Sequence, residues 1–339
     1  MKCDIQKTGE FELIEKLLGD ERVSGGDLIH GAGDDCAVIK KDGSLDLLVT
    51  TDALIENVHF IREWSDLKTL GEKSLTVNVS DIAAMGGDPR MYLVTLGIPD
   101  NFQMKDAEDL YDGMRKVAAK YDMILIGGDT VSSPLGLYLS ITVIGDVKSG
   151  HAIMRSGAIP GDAIYVTGEI GSSALGLECL KRDVDSKGSG YFIDKHLKAT
   201  ARVEFSRWLS MDGIATSMID ISDGLISDMN HIADMSDVGY NIQLGSIPVA
   251  SEFSKIASSV GCDPIKLKLA GGEDYELLFT VRDAAVFEGM AHSSGLDLKF
   301  SRIGDVVASS SNRNILDQTG KKIGMDITGF DHLKICGNN

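Results

Sequence analysis

Six aspartates stand where apolar runs end or glycine turns begin. Asp35 follows the turn in GAGDDC, Asp52 closes LLVTTD, Asp81 closes LTVNVSD, Asp129 closes ILIGGD, and SMIDISD carries Asp220 and Asp223. Aspartate has poor strand propensity and is rarely buried without a partner. Taken singly, each reads equally as a helix cap or turn residue, and Asp223 in SDGLISD shows that plainer alternative. Taken together, converging carboxylates need cations, and an oxygen-only set without His or Cys suits Mg²⁺ rather than zinc. Mg²⁺ keeps several waters and usually bridges to substrate phosphates, so a polyphosphate substrate follows. The glycine turns beside the acids (GAGDD, AMGGD, LIGGDT) are expected to offer backbone N–H groups to phosphate. Arg155, in MRSGAIPGD, is a candidate phosphate fork, and reads equally as a surface arginine at a domain junction. In the adjacent pair Asp34–Asp35, Asp35 is expected to face the cations and Asp34 to be a solvated or structural partner.

Other phosphate and catalytic signatures fail. GAGDDC begins like a dinucleotide loop, but Cys36 stands where the third glycine is required. No P-loop, H-E-x-x-H, kinase-type H-R-D or G-x-S-x-G segment occurs.

The elements that must carry these residues alternate between strand and helix periods. LDLLVTTDAL reads as a strand and TLGEKSLTVNVSDIAAMGG as a helix with its apolar face at Leu70, Ser74, Val77 and Asp81–Ala84, stopped by Gly86, Gly87 and Pro89. RMYLVTLGIP reads as a strand, KDAEDLYDGMRKVAAKYD as a helix, MILIGGDT as a buried strand and GLYLSITVIGDV as a longer one. A first block, residues 1–148, closes there. The second, 149–339, opens with the strand AIYVTGEIG and the helix SSALGLECLKR, then a polar stretch at 183–190 expected to be a flexible loop. The helix TARVEFSRWLSMDG, strand ATSMIDISDG, helix LISDMNHIADMS and strands YNIQL, YELLFTV and LKFSRIGDVV follow. Ile-Gly-Asp-Val recurs at 144–147 and 303–306, too short to establish a repeat. The expectation is two mixed α/β domains, because strands recur too closely for strict βαβ order.

Bulk composition narrows the function classes. A chain of 339 residues, 43% hydrophobic and 25% charged, suits a globular protein of one very large or two ordinary domains. A net charge of −18 argues against nucleic-acid and membrane-surface partners and suits a protein that gathers divalent cations. Five scattered cysteines without C-x-x-C spacing form neither a disulfide framework nor a zinc site. The opening MKCDIQKTGEFELIEKLL reads as a polar stretch and an amphipathic helix without a signal-peptide core, and no run reaches membrane-spanning length. A cytoplasmic protein is expected.

GEFELIEKL, GAGDDCAVI, TTDALIENVHF, KSLTVNVSDIAAMGGDPR, LIGGDT, RSGAIPGDAIYVTG, IDISDGLISDMNHI, AGGEDYELLFTV and GFDH occur in this order. In that order they resemble the thiamine-monophosphate kinase family, within the aminoimidazole ribonucleotide synthetase-like superfamily. The resemblance runs from residue 9 to 332. It implies an ATP- and Mg²⁺-dependent homodimer whose N-terminal domains share a β-barrel, with thiamine monophosphate as the acceptor. By motif, it implies Mg²⁺ ligands Asp35, Thr50, Thr51, Asp52, Asp81, Asp129, Asp220 and Asp223, of which Asp52, Asp81, Asp129 and Asp220 would be catalytic. It implies nucleotide contacts at Tyr111, Gly128, Asp129, Arg155 and Ser222, and substrate contacts at His59, Glu273 and Phe330. A carboxylate and an aromatic face suit a cationic, flat-ringed substrate, although Glu273 also reads as a GGED turn residue and His59 as a core histidine. The attacking phosphate oxygen is already anionic, so no general base is needed and direct in-line transfer is expected. The alternatives are an aminoimidazole ribonucleotide synthetase-type enzyme and a non-catalytic binder of Mg²⁺ and thiamine phosphates. No reactive-cysteine loop precedes GAGDD, and KICGNN lacks a Pro-Arg context at Cys336, which sets two other superfamily branches aside.

Overall fold

The computed structural model describes residues 26–184, 188–211, 213–296 and 299–324, with positions 13, 14 and 17 before them. The helix expected in the first eighteen residues lies largely outside this set, and GFDH with Phe330 and part of the 183–190 stretch lie outside it altogether.

The first sheet contains β1 (Leu28–His30), β2 (Ala37–Lys40), β3 (Leu45–Ile55), β4 (Asp88–Ile98), β5 (Ile124–Ser132) and β6 (Tyr138–Lys148). Their order is β1-β2-β3-β6-β4-β5, antiparallel except for the parallel β4–β5 pair at one edge. Side chains along β3, β4 and β6 largely alternate between buried and more accessible, as a sheet covered on one face requires. Helices α1 (Leu67–Ala84) and α2 (Met104–Lys120) belong to this half. Asp66 caps α1 by accepting from the Thr69 N–H at 2.8 Å, and a Gln103–Asp106 capping box starts α2. The helices approach closely because each carries a glycine at the contact: a Cβ on Gly71 would lie 2.0 Å from the Leu110 carbonyl oxygen, and one on Gly113 1.9 Å from that of Lys68.

The second sheet contains β7 (Ala163–Thr167), β8 (Ala215–Asp220), β9 (Gly239–Gln243), β10 (Leu277–Val281), β11 (Phe300–Val307) and β12 (Arg313–Leu316). Its order is β12-β9-β11-β7-β10-β8, again with one parallel pair, β12–β9, at an edge. Here β7 and β10 are buried at every residue. One core on this sheet gathers Met229 and Ile232 of α6 (Leu225–Ser236). A second gathers Phe205 and Leu209 of α5 (Val203–Met211) and Phe287 of α9 (Ala284–Ser293), with the Tyr165 and Phe287 rings edge-to-face at 4.8 Å.

Three expectations need correction. MILIGGDT forms β5, but every residue of that strand is exposed, because β5 is a sheet edge that no described element covers. The α1 segment has no single apolar face. Lys73–Ser80 and Ile82–Ala84 are buried all round, because the helix packs against β3, β4 and β6 on one side and β8 and α5 on the other. Part of the presumed 183–190 loop is already helical, since α4 (Ser189–Leu197) begins at Ser189 behind a left-handed Gly188. The remaining helices, α3 (Ser172–Lys181), α7 (Phe253–Ser259) and α8 (Pro264–Ala270), complete the second half. Both Ile-Gly-Asp-Val copies lie in strands, β6 and β11.

Candidate active site

β3, α1, β8 and the turn after β1 converge on one group of acids. Asp35, Asp81 and Asp220 each offer a carboxylate oxygen, all within 4.8 Å of one another. Thr50 donates to Asp81 Oδ2 at 2.6 Å, and Ser80 donates to Asp220 Oδ2 at 2.5 Å. The Asp52 N–H donates to Asn78 Oδ1 at 3.0 Å, which pins β3 to α1 beside the cluster. Thr50 and Asp52 lie two residues apart and therefore share one face of the sheet, Thr50 buried and Asp52 exposed. Burial, then Asp52, Asp220 and Asp35, push the Asp81 carboxyl well above its ordinary range. Burial and then Asp35 do the same to Asp220.

Arg155 closes the group. Its Nη2 donates to Asp35 Oδ1 at 2.7 Å, while its backbone N–H is shared between Asp34 Oδ1 and Oδ2 at 3.1 and 3.2 Å. Burial works against the Arg155 charge, yet Asp35 and Asp34 hold its pKa above the ordinary value. Asp34 is thus the structural partner. It is not solvated: its side chain is buried, and burial followed by Asp35 pushes its carboxyl up to about 7.

The donor chemistry fits a hard divalent cation. It is all oxygen, and Asp35 Oδ2 is buried with no hydrogen-bond partner. Arg155 Nε is likewise buried without one, so a donor as well as an acceptor remains to be satisfied there.

Other expected residues lie elsewhere. Thr51 points to the opposite face of β3, where its hydroxyl donates to the Ile141 carbonyl at 3.2 Å and accepts from Thr142 Oγ1 at 3.1 Å. Its side chain therefore does not join the acids. Asp129 shares that far face, in the register row Ala53–Ser140–Thr95–Asp129, three strand spacings or about 14 Å from β3. Gly128 lies in an extended edge strand and not in a phosphate turn; a Cβ there would lie 1.9 Å from the Val94 carbonyl oxygen. In AMGGD the Gly86 and Gly87 N–H groups donate to the Ala83 and Ile82 carbonyls, closing α1 and leaving none for phosphate. Tyr111 packs against the first core from α2. Asp223 belongs to a second group, with Asp228 and His231. The Ser222 carbonyl accepts from the Glu273 N–H at 2.7 Å, joining the SDG and GGED turns.

The GGED turn is the most conformationally unusual segment. Glu273 and Tyr275 both take left-handed backbone, φ +63° and +50°, which costs a non-glycine residue about 1–3 kcal/mol. Successive side chains hold it in place. Glu273 Oε2 lies 3.2 Å from both Lys73 Nζ and His196 Nδ1. Asp274 accepts from the N–H groups of Gly171 (2.6 Å) and Ser173 (3.0 Å) at the start of α3. Tyr275 enters the first core, and Glu276 accepts from Arg202 Nε and Thr167 Oγ1, both at 2.6 Å. His59 accepts the Ile55 N–H on Nδ1 at 3.0 Å and lines a small cavity with Phe60, Trp64, Lys73 and His196. Sequence reasoning missed Asn78, Ser80, Lys73 and His196. The available signal was the density of polar residues in KSLTVNVSD, which an all-round buried helix can keep only if each has a partner.

The description "AIR synthase related protein" matches this chain twice, its N-terminal domain over residues 33–147 and its C-terminal domain over 160–317. The thiamine-monophosphate kinase of Bacillus subtilis (strain 168) is 36% identical over 329 residues, 96% of this chain and 99% of its own. The Escherichia coli (strain K12) enzyme is 38% identical over 333 residues, 96% and 98% of the two chains. The chain belongs to the thiamine-monophosphate kinase family. The solved complex "AaThiL complexed with AMPPCP and TMP" superposes with a TM-score of 0.81 at 30% identity, covering 98% of this chain and 99% of that one. Thiamine monophosphate kinase from Aquifex aeolicus superposes at 0.76, also at 30% identity, covering 92% and 97%. Hydrogenase maturation protein HypE, at 0.70 and 19% identity over 92% and 96%, shares the fold. Within the family fold, the mixed α/β halves of this chain bring Asp35, Asp81 and Asp220 to their junction through α1.

Proposed function

We propose that this chain transfers the γ-phosphoryl group of ATP to the phosphate of thiamine monophosphate, directly and in line, giving thiamine diphosphate. The observation that carries the reading is the meeting of Asp35, Asp81 and Asp220 around an unpartnered Asp35 oxygen. The names of the relatives and the neighbour bound to AMPPCP and TMP supply the substrates. Asp35, Thr50, Asp52, Asp81 and Asp220 would hold Mg²⁺, with Asp223 at a second position. The bound ions would neutralise the repulsion between two polyphosphates. Arg155 would exchange part of its pairing with Asp35 for a nucleotide phosphate, helped by its Nε, which makes no hydrogen bond. Tyr111 and Ser222 would contact the nucleotide, and His59, Glu273 and Phe330 the thiamine moiety. No residue need remove a proton, since the attacking oxygen is already anionic.

The working unit is a homodimer in this reading. The exposed β5 edge leaves Ile124, Leu125, Ile126 and Val131 uncovered, a row that pairing with a second copy would bury. Gly128 and Asp129 would then meet the nucleotide across the subunit boundary. Residues 1–148 would supply the dimer contact and most of the metal set, and 149–339 would complete the cleft.

ADP release from protein, Mg-ATP and thiamine monophosphate tests the reading against its alternatives. Turnover with thiamine monophosphate, and neither with thiamine nor with formylglycinamidine ribonucleotide, is expected. Saturable binding without ADP would identify a binder, and turnover only with the ribonucleotide a synthetase-type enzyme. Inversion at a chiral γ-phosphorus is expected, and net retention would overturn direct transfer.

A further inference from the structure

We propose that Lys73 and His196 are positioning residues that hold the Glu273 carboxylate for the cationic, flat-ringed part of the acceptor. This rests on the kinase reading above and on its placement of Glu273 beside the substrate.

Two acids of one turn make a useful contrast. Glu276 is fully withdrawn: its side chain is 3% exposed and both oxygens are taken, by Arg202 and Thr167. Glu273 is different. Its side chain is 29% exposed, and Lys73 and His196 both meet the same oxygen, Oε2. Among the described residues no hydrogen bond is made to Oε1. Both protein contacts thus fall on one oxygen of a partly exposed carboxylate.

The grip on Oε2 comes from two directions. Lys73 is 4% exposed and projects from α1, two turns before Asp81. His196 projects from α4, and its Nδ1 also meets Ser173 Oγ at 3.1 Å. The Ser173 N–H goes to Asp274, so the residue after Glu273 is fixed through the same serine. Burial followed by Lys73 lowers the His196 pKa to about 4, so its imidazole is neutral near pH 7 and can donate to Glu273 without adding charge. Lys73 then supplies the balancing cation. Both residues also line the cavity that carries the aromatic groups of His59, Phe60 and Trp64. Lys73 and His196 thus link the carboxylate to the aromatic groups, and a carboxylate with aromatic faces suits a thiazolium-like cation.

Steady-state kinetics with both substrates varied tests this on the full chain. Lys73→Met is expected to raise KM for thiamine monophosphate at least tenfold, with KM for ATP and kcat within threefold. Lys73→Arg, and His196→Asn with its amide near the Nδ1 position, should stay within threefold of the parent. The double variant Lys73→Met/Glu273→Gln should be no worse than Glu273→Gln alone. If Glu273→Gln raises the acceptor KM but Lys73→Met does not, the inference fails and the kinase reading stands. If the parent releases no ADP with thiamine monophosphate, both fail. Equal rises in both KM values, with a lowered melting temperature, would make the pair a structural staple and overturn the inference. Should Lys73→Met not fold, His196→Leu decides: a raised acceptor KM with unchanged melting supports the inference, and an unchanged KM overturns it.

Discussion

The two sheets have the same number of strands and the same single parallel edge, yet they are used differently. The second is covered on both faces, and β7 and β10 are buried throughout. The first buries most of the face that carries Thr50 beneath α1, with Asp52 exposed on that same face, and leaves the face that carries Thr51 and Asp129 more accessible. A sheet packed on both sides gives a rigid wall. A sheet packed on one side can give one face to chemistry and keep the other for a neighbour. The position of an aspartate on a strand therefore decides which face it serves: Asp52 and Asp129 both follow apolar runs, but they face opposite ways.

Several substitutions would break or sharpen this contrast. The largest effect is expected from a charge in the doubly covered sheet. Val166→Asp on β7 should cost at least 4 kcal/mol, enough to unfold many domains, read as loss of a cooperative thermal transition. Asp81→Asn on α1 and Asp52→Asn on β3 should lower kcat by about a thousandfold or more with the melting temperature preserved. Substantial turnover in either would remove that residue from the essential set. Ile124→Lys, on the uncovered edge, should halve the mass measured by light scattering while changing the stability of the single chain by only about 0.5 kcal/mol. The smallest effect belongs to Thr51→Val, whose hydroxyl bonds across to Ile141 and Thr142 of β6; kcat should stay within about threefold, because only these two neutral hydrogen bonds are lost.

A pH prediction separates the acid cluster from the rest. Asp81 and Asp220 have folded-state pKa values raised above the unfolded value. Their stabilising contribution is therefore complete below about 3.8 and is lost as pH rises towards the folded pKa. In chelator, the melting temperature should fall as pH climbs from 5.5 to 8.5, and Mg²⁺ should restore it most at the alkaline end. Mg²⁺ must displace the bound protons, so binding should tighten with pH and release protons, measured by calorimetry in buffers of different ionisation enthalpy.

Much of this was legible in the residues. Strand and helix periods located β3, α1, β6, β8 and α6, and the acids at their ends pointed to an oxygen-only cation site. The sequence did not show which face each acid takes across a sheet order that interleaves β6 between β3 and β4. That order put Asp129 far from Asp52, although both follow the same pattern. Nor could periodicity show that α1 is buried all round, because its apolar and polar positions do not separate into two faces. His196 lies beyond the expected 183–190 loop, in 191–199, a segment to which no element was assigned although it continues the helix that begins at Ser189.

Tyr275 has a consequence for how the molecule can be taken apart. It stands just before β10 of the second sheet, yet its ring is part of the first core, together with Ala201 and Val203. A gene split near residue 149 would not yield two self-sufficient fragments. The front piece would carry a hole shaped for an aromatic ring, and the rear piece would expose the plug. Co-expressed halves should recover function together where neither is soluble alone, so the chain is suited to complementation and unsuited to dissection.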